Sequence, residues 1–454
     1  METGDEELGI FISVDASNGF AVKVIRQQLV PIIGYLPSYP QNRQILMLRR
    51  LSLFITTVII WQLTSSVTLA RSNDPQQADR FPPSPLEITK PDPLVPTLRD
   101  KQQLTVPERQ KLEAALDELN QQATAKLQAG DNLGAFEIWN RELRLRRYLG
   151  AVTEVKALSR VGEIAWNQND SQELLYITQR LQAIQKQVQL QNKNVQQSVD
   201  LPLLQALGEA YQKVRSLKGA ITVYSEVLAT VREKQDLVAQ VNTLTTIGEL
   251  NLNWFDYPQA ATAYEELLRL ATSGGENQNQ EFTYLQKLAY IYQQSKQAQK
   301  SIDVLNKIKA IYSQNNNFTQ LPTLQLAIAA NYETLARENP ALIEAAFKNY
   351  QEAYITAWQL QQYPSAAEAV QKLISLYRSQ GQLDEALQAS EILLEIQTRA
   401  VNFYGLMEAY DQIGKLYLER KDSSAALAAF QKGLELARQL KHQEAYFTQQ
   451  INSI

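Results

Sequence analysis

Cysteine is absent from all 454 residues, and histidine occurs once, as His442. Without thiols there are no disulfides, thiolate metal sites, cysteine nucleophiles or lipid-acylated cysteines. A lone histidine excludes multi-histidine metal centres and histidine-based catalytic triads. A glycine-rich phosphate loop is also missing, because Gly130 and Gly134 lack the strand, spacing and lysine that such a loop needs. Carboxylate pairs such as Glu265-Glu266 are ordinary on helices and make no acid–base machinery. No enzyme, cofactor or metal is expected. A basic excess is lacking as well: the net charge of -4 argues against a nucleic-acid binder. Glycine and proline number only 17 and 16, so long stretches carry no helix breaker. What fills the chain is Leu, Ala, Gln, Glu and Lys, the composition of an almost wholly helical protein.

The first hundred residues differ from the rest. Residues 47–70 have the layout of a secretory signal, with basic Leu48-Arg49-Arg50, an uncharged apolar run from Leu51 to Leu63, and a small-residue stretch ending at Ala70. The apolar run falls short of the roughly 20 residues of a comfortable bilayer span, which favours cleavage over a retained anchor. Residues 1–46 are unexpected ahead of such a segment, and Met47 directly precedes Leu48-Arg49-Arg50. Translation is therefore expected to start at Met47; a cellular peptide from residues 1–43 would refute this. Residues 71–106 read as a linker. Pro75, Pro82, Pro83, Pro85, Pro91, Pro93 and Pro96, with Pro107 at its end, make half of the sixteen prolines. That density removes helix donors and predicts a semi-rigid, solvated spacer.

From residue 107 the chain repeats itself. A small residue recurs as Ala123, Gly162, Gly208, Gly248, Ala289, Ala329 and Gly414, with Ile374 at the seventh place, at intervals of 39, 46, 40, 41, 40, 45 and 40. Three residues after this marker stand Tyr211, Tyr292, Tyr332, Tyr377 and Tyr417. Twelve after it come Ala135, Ala220, Ala260, Ser301, Ala386 and Ala426, and four further on Trp139, Tyr224, Tyr264, Leu305, Ser390 and Phe430. In the sixth unit Ala346, Tyr350 and Ala353 are the equivalents. Helical period puts Gly208 and Tyr211 on one face of a first helix, and Ala220 and Tyr224 on one face of a second. Small residues let backbones approach while aromatics fill the space between. One such pair cannot bury its apolar face alone, so the pairs must stack.

Leu207, Gly208, Tyr211, Ala220 and Tyr224 resemble the tetratricopeptide repeat signature, and Ile413, Gly414, Tyr417, Ala426 and Phe430 match it again. The units run near 40 residues where the family's usually have about 34, similar to the longer repeats of kinesin light chain. The resemblance implies an all-α fold: a right-handed α-solenoid of about eight helix-turn-helix repeats over residues 107–440, with 441–454 as a terminal capping helix. It also implies a concave groove lined by first helices, with the residue after the marker facing it. That residue is Glu163, Glu209 and Glu249 in three successive units, then Tyr290, Ala330, Ser375 and Lys415. A wall of carboxylates favours a cationic partner segment. The plain alternative is that glutamate is simply a good helix former on a solvated face. Trp166 sits at another groove-facing register, either as an anchor for a ligand side chain or as a cap over the neighbouring repeat. Gln205, Gln212, Asn253, Gln286, Gln293 and Arg378 complete a polar groove. The Lys and Asn pattern that clamps a C-terminal carboxylate in some family members is missing.

Two features stand apart. Trp254-Phe255 at a turn is either a contact site or tucked against the next pair. Arg141, Arg144, Arg146 and Arg147 make one helix basic, as a solvated face or a contact for an anionic surface. The expected function is that of an exported scaffold or assembly factor, periplasmic or in a comparable lumen, that binds a protein or peptide and no nucleic acid. A membrane would be touched only through residues 47–70, if uncleaved. An anchored accessory protein of an envelope complex, and a solenoid binding a ligand or envelope polymer, are the alternatives.

Overall fold

Helix hairpins follow one another through the chain because each marker begins a new amphipathic pair. The computed structural model describes residues 83–88, 91–95, 104–194, 200–273 and 278–454. The expectations for residues 1–46 and 47–70 lie outside the described residues. Among the described residues there are seventeen α-helices and no strand. The first four units are α1 Val106–Gln128 with α2 Asn132–Arg146, α3 Ala151–Asn167 with α4 Ser171–Asn194, α5 Leu201–Lys213 with α6 Leu217–Glu233, and α7 Leu237–Asn253 with α8 Tyr257–Ser273. The next four are α9 Gln278–Gln294 with α10 Ala298–Gln314, α11 Leu321–Ala336 with α12 Ile343–Gln359, α13 Tyr363–Ser379 with α14 Leu383–Arg399, and α15 Phe403–Glu419 with α16 Ser423–Leu440. A last helix, α17, spans Glu444–Asn452. Each helix packs on its neighbour in the chain, which is the contact pattern of an α-solenoid.

The turn inside each unit is built the same way. In seven of the eight units the residue seven after the marker is left-handed: Gly130, Asn169, Arg215, Phe255, Lys296, Gly381 and Lys421. The next N–H then reaches back to the carbonyl of the third residue after the marker, as Ser216 does to Tyr211 at 2.8 Å and Asp256 to Asn251 at 2.9 Å. An aspartate at that place caps the second helix. Asp131, Asp256 and Asp422 accept from the N–H groups of Gly134, Gln259 and Ala425. The sixth unit departs: α11 is followed by an Asn339-capped 3-10 turn, Pro340–Leu342, before α12 starts. Those extra residues account for its long interval.

The markers are where first and second helices touch. A Cβ placed on Gly208 would lie 2.7 Å from Cζ of Tyr224, one on Gly248 2.8 Å from Tyr264, and one on Gly414 2.6 Å from Phe430. No real side chain tolerates such distances without displacement. Size is exchanged across this contact: in the seventh unit, buried Ile374 occupies the marker position and small Ser390 the facing one. Gly162 behaves differently, for its missing Cβ leaves room first for Val214 of the following unit, with Ile177 of its own second helix at an ordinary 3.4 Å. The C-terminal end is closed by α17, whose buried Phe447 presses on Gly433.

The expectation of a solvated spacer fails for the part of the linker that is described. Residues 83–88 and 91–95 form a strap against the second helices α2 and α4, and Leu86, only 1 % exposed, joins the core formed by the first five units. Arginines of α2 and of the 3-10 turn directly after it, Arg147–Leu149, hold the strap. Arg141 makes a bidentate pair with Asp92 at 2.8 and 2.9 Å, Arg144 donates to the Pro85 carbonyl at 2.7 Å, and Arg147 donates to the Leu86 carbonyl at 2.7 Å. Arg146 turns inward to Asp117 and to fully buried Glu142. The basic cluster is therefore neither a solvated face nor a contact for an anionic surface; it is an intramolecular clamp.

Candidate functional site

On the first helices the marker is buried in every unit but the fifth, where Ala289 is half-buried, and this turns the residue after the marker outward. Glu209, Glu249, Tyr290, Ala330, Ser375 and Lys415 are all exposed, and Glu163 is half-buried. Residues three before and four after the marker share that face: Gln205, Gln286, Gln293 and Arg378 are exposed and Gln212 is half-buried. Asn253, five after its marker, is exposed as well. Two ion pairs show that this face continues from one unit to the next. Lys213 of α5 reaches Glu163 of α3 at 2.6 Å, and Arg378 of α13 reaches Glu419 of α15 at 3.1 Å. Lys213 and Glu419 are the only charged residues five places after a marker, the others there being Gln128, Asn167, Asn253, Gln294, Thr334 and Ser379.

Charge along this first-helix row is unequal. The expected wall of three carboxylates is effectively two, because Lys213 neutralises Glu163. Glu209 and Glu249 have no ion-pair partner among the described residues. Each adds its field to the phenol of the second helix beneath: burial first, then the Glu209 charge, pushes Tyr224 up to about 12, and burial, then Glu249, does the same to Tyr264. Gln212, predicted to serve the groove, donates to the Tyr224 hydroxyl at 2.7 Å. Further along the row the sign reverses, with Lys287, Lys296 and Arg337 bordering the recesses described next.

Two recesses share Tyr290. One, of about 480 Å³, lies between α7 and α9 and is lined by Asn253, Phe255, Gln286, Lys287 and Tyr290 among others. The other, of about 570 Å³, lies between α9 and α11 and brings in Gln293, Lys296, Asn331 and Arg337. Asn253, Gln286, Tyr290 and Gln293 thus come together at the middle of the array. The turn aromatics are not tucked away: Phe255 is 74 % exposed and Trp254 51 %. Phe255, Tyr257 and Tyr290 form an edge-to-face series with ring centres 6.4 and 6.5 Å apart. Phe255 also sits at φ 61, a conformation that costs a bulky residue about 1–2 kcal/mol and that glycine adopts in the first and seventh units.

The other predicted residues fall outside this centre. Trp166 is 45 % exposed and lies under the Arg215 guanidinium of the following unit, 5.7 Å from the ring centre, so it touches the neighbouring repeat while leaving part of its ring open. Arg378 lines a separate recess with Gln412 and Glu419. Lys415 is paired with Asp411 at 2.7 Å, and Tyr446 of α17 bonds the same aspartate at 2.7 Å, so the cap occupies the row at its last unit. Among the described residues no cluster of His, Asp or Glu is placed to hold a metal ion.

Comparison with known proteins agrees with this geometry. A family model described as "Tetratricopeptide repeat" matches residues 356–439, from the end of α12 through α16. The matched stretch is therefore similar to tetratricopeptide repeats, in the part of the array where the helix hairpins of the seventh and eighth units lie. Among solved structures, BtubC (BKLC) from P. vanneervenii is 19 % identical with a TM-score of 0.33, over 50 % of this chain and 92 % of that one. MamA is 21 % identical with a TM-score of 0.32, over 45 % and 94 %. A putative kinesin light chain of Podosopora anserina with nearly identical TPR-like repeats is 13 % identical with a TM-score of 0.33, over 44 % and 96 %. At these scores the likenesses carry no inference about role. No curated protein is similar to this chain in sequence.

Proposed function

We propose that this protein is an exported interaction scaffold, or assembly factor, that captures a segment of a partner protein along its first-helix row. The observation that carries the reading is the convergence of Asn253, Gln286, Tyr290 and Gln293 on two recesses beside an exposed aromatic series. Aromatic rings supply contact area at small entropic cost, and amide side chains hydrogen-bond a partner backbone whatever its sequence. The partner segment carries a divided charge: its cationic part lies over Glu209 and Glu249, and its neutral or acidic part over Lys296 and Arg337. Export is supported by the basic, apolar and small-residue layout of residues 47–70. N-terminal sequencing of the mature protein decides whether that segment is cleaved or retained as an anchor.

Photo-crosslinking in the exporting cell tests the binding reading. A crosslinker replacing Gln286 or Gln293 should capture one protein, while the same group at Glu233 or Arg269, on second helices, should not. Equal capture from both faces, or capture of glycan or small ligand in place of protein, would overturn it.

A further inference from the structure

Beneath the strap, α2 and α4 meet through a single hydrogen bond between polar side chains. Asn140 donates from Nδ2 to Oε2 of Glu173 at 3.0 Å. Both residues are more than nine-tenths buried, at 7 % and 5 % exposure. The opposite atoms of the pair, Asn140 Oδ1 and Glu173 Oε1, are sealed from solvent, and each lacks a hydrogen-bond partner. Two orphaned acceptors in one buried pair are a costly arrangement, since each loses its hydration and regains no bond. No donor among the described residues relieves either of them. One proton on Glu173 would relieve both.

We propose that Glu173 is a neutral carboxylic acid in the folded protein, donating from Oε1 to Asn140 Oδ1. The two side chains then form a closed acid–amide pair that fastens α2 to α4, and loss of that proton loosens the bed on which the strap lies. The surroundings favour the neutral form. The charged and titratable groups lining the adjoining recess are Glu137 and Arg144 on α2, and Asp170 and Tyr176 on α4; the strap contributes Pro83, Pro85 and Ile88, which do not titrate. Arg144 is engaged by the Pro85 carbonyl. Burial, reinforced by the Asp170 charge and only partly opposed by the Asn140 hydrogen bond, pushes the Glu173 carboxyl up to about 7.

The link to the strap is geometric. Two of its contacts are to α2, through Arg141 and Arg144, a third is to Arg147 in the turn that follows α2, and a fourth is to α4, where Arg180 faces Glu87 at 3.7 Å. A strap bound to both helices reports their separation. Because the folded state holds the proton more tightly than the unfolded chain, the contribution is complete below the ordinary glutamate range and is lost as pH rises through the folded value. The shift from 4.5 to about 7 limits the whole effect to about 300-fold.

The test uses the full chain labelled with 13C at glutamate carboxyl carbons, with Glu173→Gln identifying the Glu173 signal. Glutamine is isosteric, and its amide donates to Asn140 Oδ1 as the protonated acid does. Glu173 is expected to titrate near neutrality. Hydrogen-exchange protection of residues 83–95, corrected for intrinsic rates, should fall through the same range in the wild type and stay level in Glu173→Gln. A Glu173 that titrates as an ordinary carboxyl, at about 4.3, overturns the proposal. So does a strap whose protection ignores the titration, or keeps the same pH dependence in Glu173→Gln.

Discussion

The Lys213 ammonium group lies 2.6 Å from the Glu163 carboxylate, across the junction between the third unit and the second. Both side chains are close to half exposed, so the pair itself contributes little stability, about 0–1 kcal/mol. Its consequence is for recognition. It removes one of three predicted carboxylates from the field that an approaching partner meets, and leaves Glu209 and Glu249 to supply it.

The first prediction follows from that pairing. Replacing Glu209 and Glu249 together by Gln should weaken binding of the segment captured at Gln286 by about tenfold at low salt, or about 1.4 kcal/mol. Screening should shrink the loss at high salt. Glu163→Gln alone should change affinity much less. Calorimetric titration at two ionic strengths measures both, and an effect of Glu163→Gln equal to that of the double variant would count against the divided row.

Phe255 offers a test in which stability and function move in opposite directions. Glycine at this left-handed position relieves backbone strain, so Phe255→Gly should raise stability by about 1 kcal/mol. The same change removes an exposed ring of the aromatic series and should weaken partner binding. Thermal unfolding and binding by the same purified protein decide it. Destabilisation, or unchanged affinity, would show that Phe255 is kept for packing.

The marker contact predicts a coupled pair. Gly208→Ala should destabilise the array by about 1–3 kcal/mol, because its Cβ meets the Tyr224 ring. Adding Tyr224→Leu should give back part of that loss, with a coupling energy of about 0.5–3 kcal/mol in a double-mutant cycle. Strictly additive losses would mean that the glycine is required for some other reason.

Leu86 anchors the strap. Leu86→Ala removes a fully buried leucine, a change that costs about 2–5 kcal/mol where the site cannot collapse. Because the strap lies at one edge of the array, the loss should appear as its local release rather than as unfolding of the repeats. Hydrogen exchange should rise across residues 83–95 and remain unchanged in α9–α16.

The repeats were legible because their packing is written in side chains of opposite size. Gly208 with Tyr224, Gly248 with Tyr264 and Gly414 with Phe430 are pairs that only close helix contact explains, and Ile374 with Ser390 keeps the sum while exchanging the members. The exposed face was legible for the same reason, since fixing the buried register fixes its opposite. The strap was not. A single apolar residue, Leu86, sits among prolines, and two of its clamps are backbone carbonyls, Pro85 and Leu86, that no side chain announces. The arginines that bind them were visible, but a row of arginines on a helix looks the same whether it faces water or a docked segment. The state of Glu163 escaped notice too, because Lys213 lies 50 residues away at a register shared with Asn253 and Glu419.

The cap helix has an effect beyond closing a core. A repeat stack whose last unit ends in an uncovered groove is a template for the first unit of another copy, and such contacts propagate into filaments. Here Phe447 fills the notch at Gly433 and Tyr446 bonds Asp411, so the surface that a second molecule would need is already taken by the chain's own tail. At the other end α1 turns Glu113, Glu118, Gln121 and Gln122 to solvent. The cap thus occupies the last unit's groove from within the chain, while the middle of the row, at Tyr290, is exposed to a different molecule.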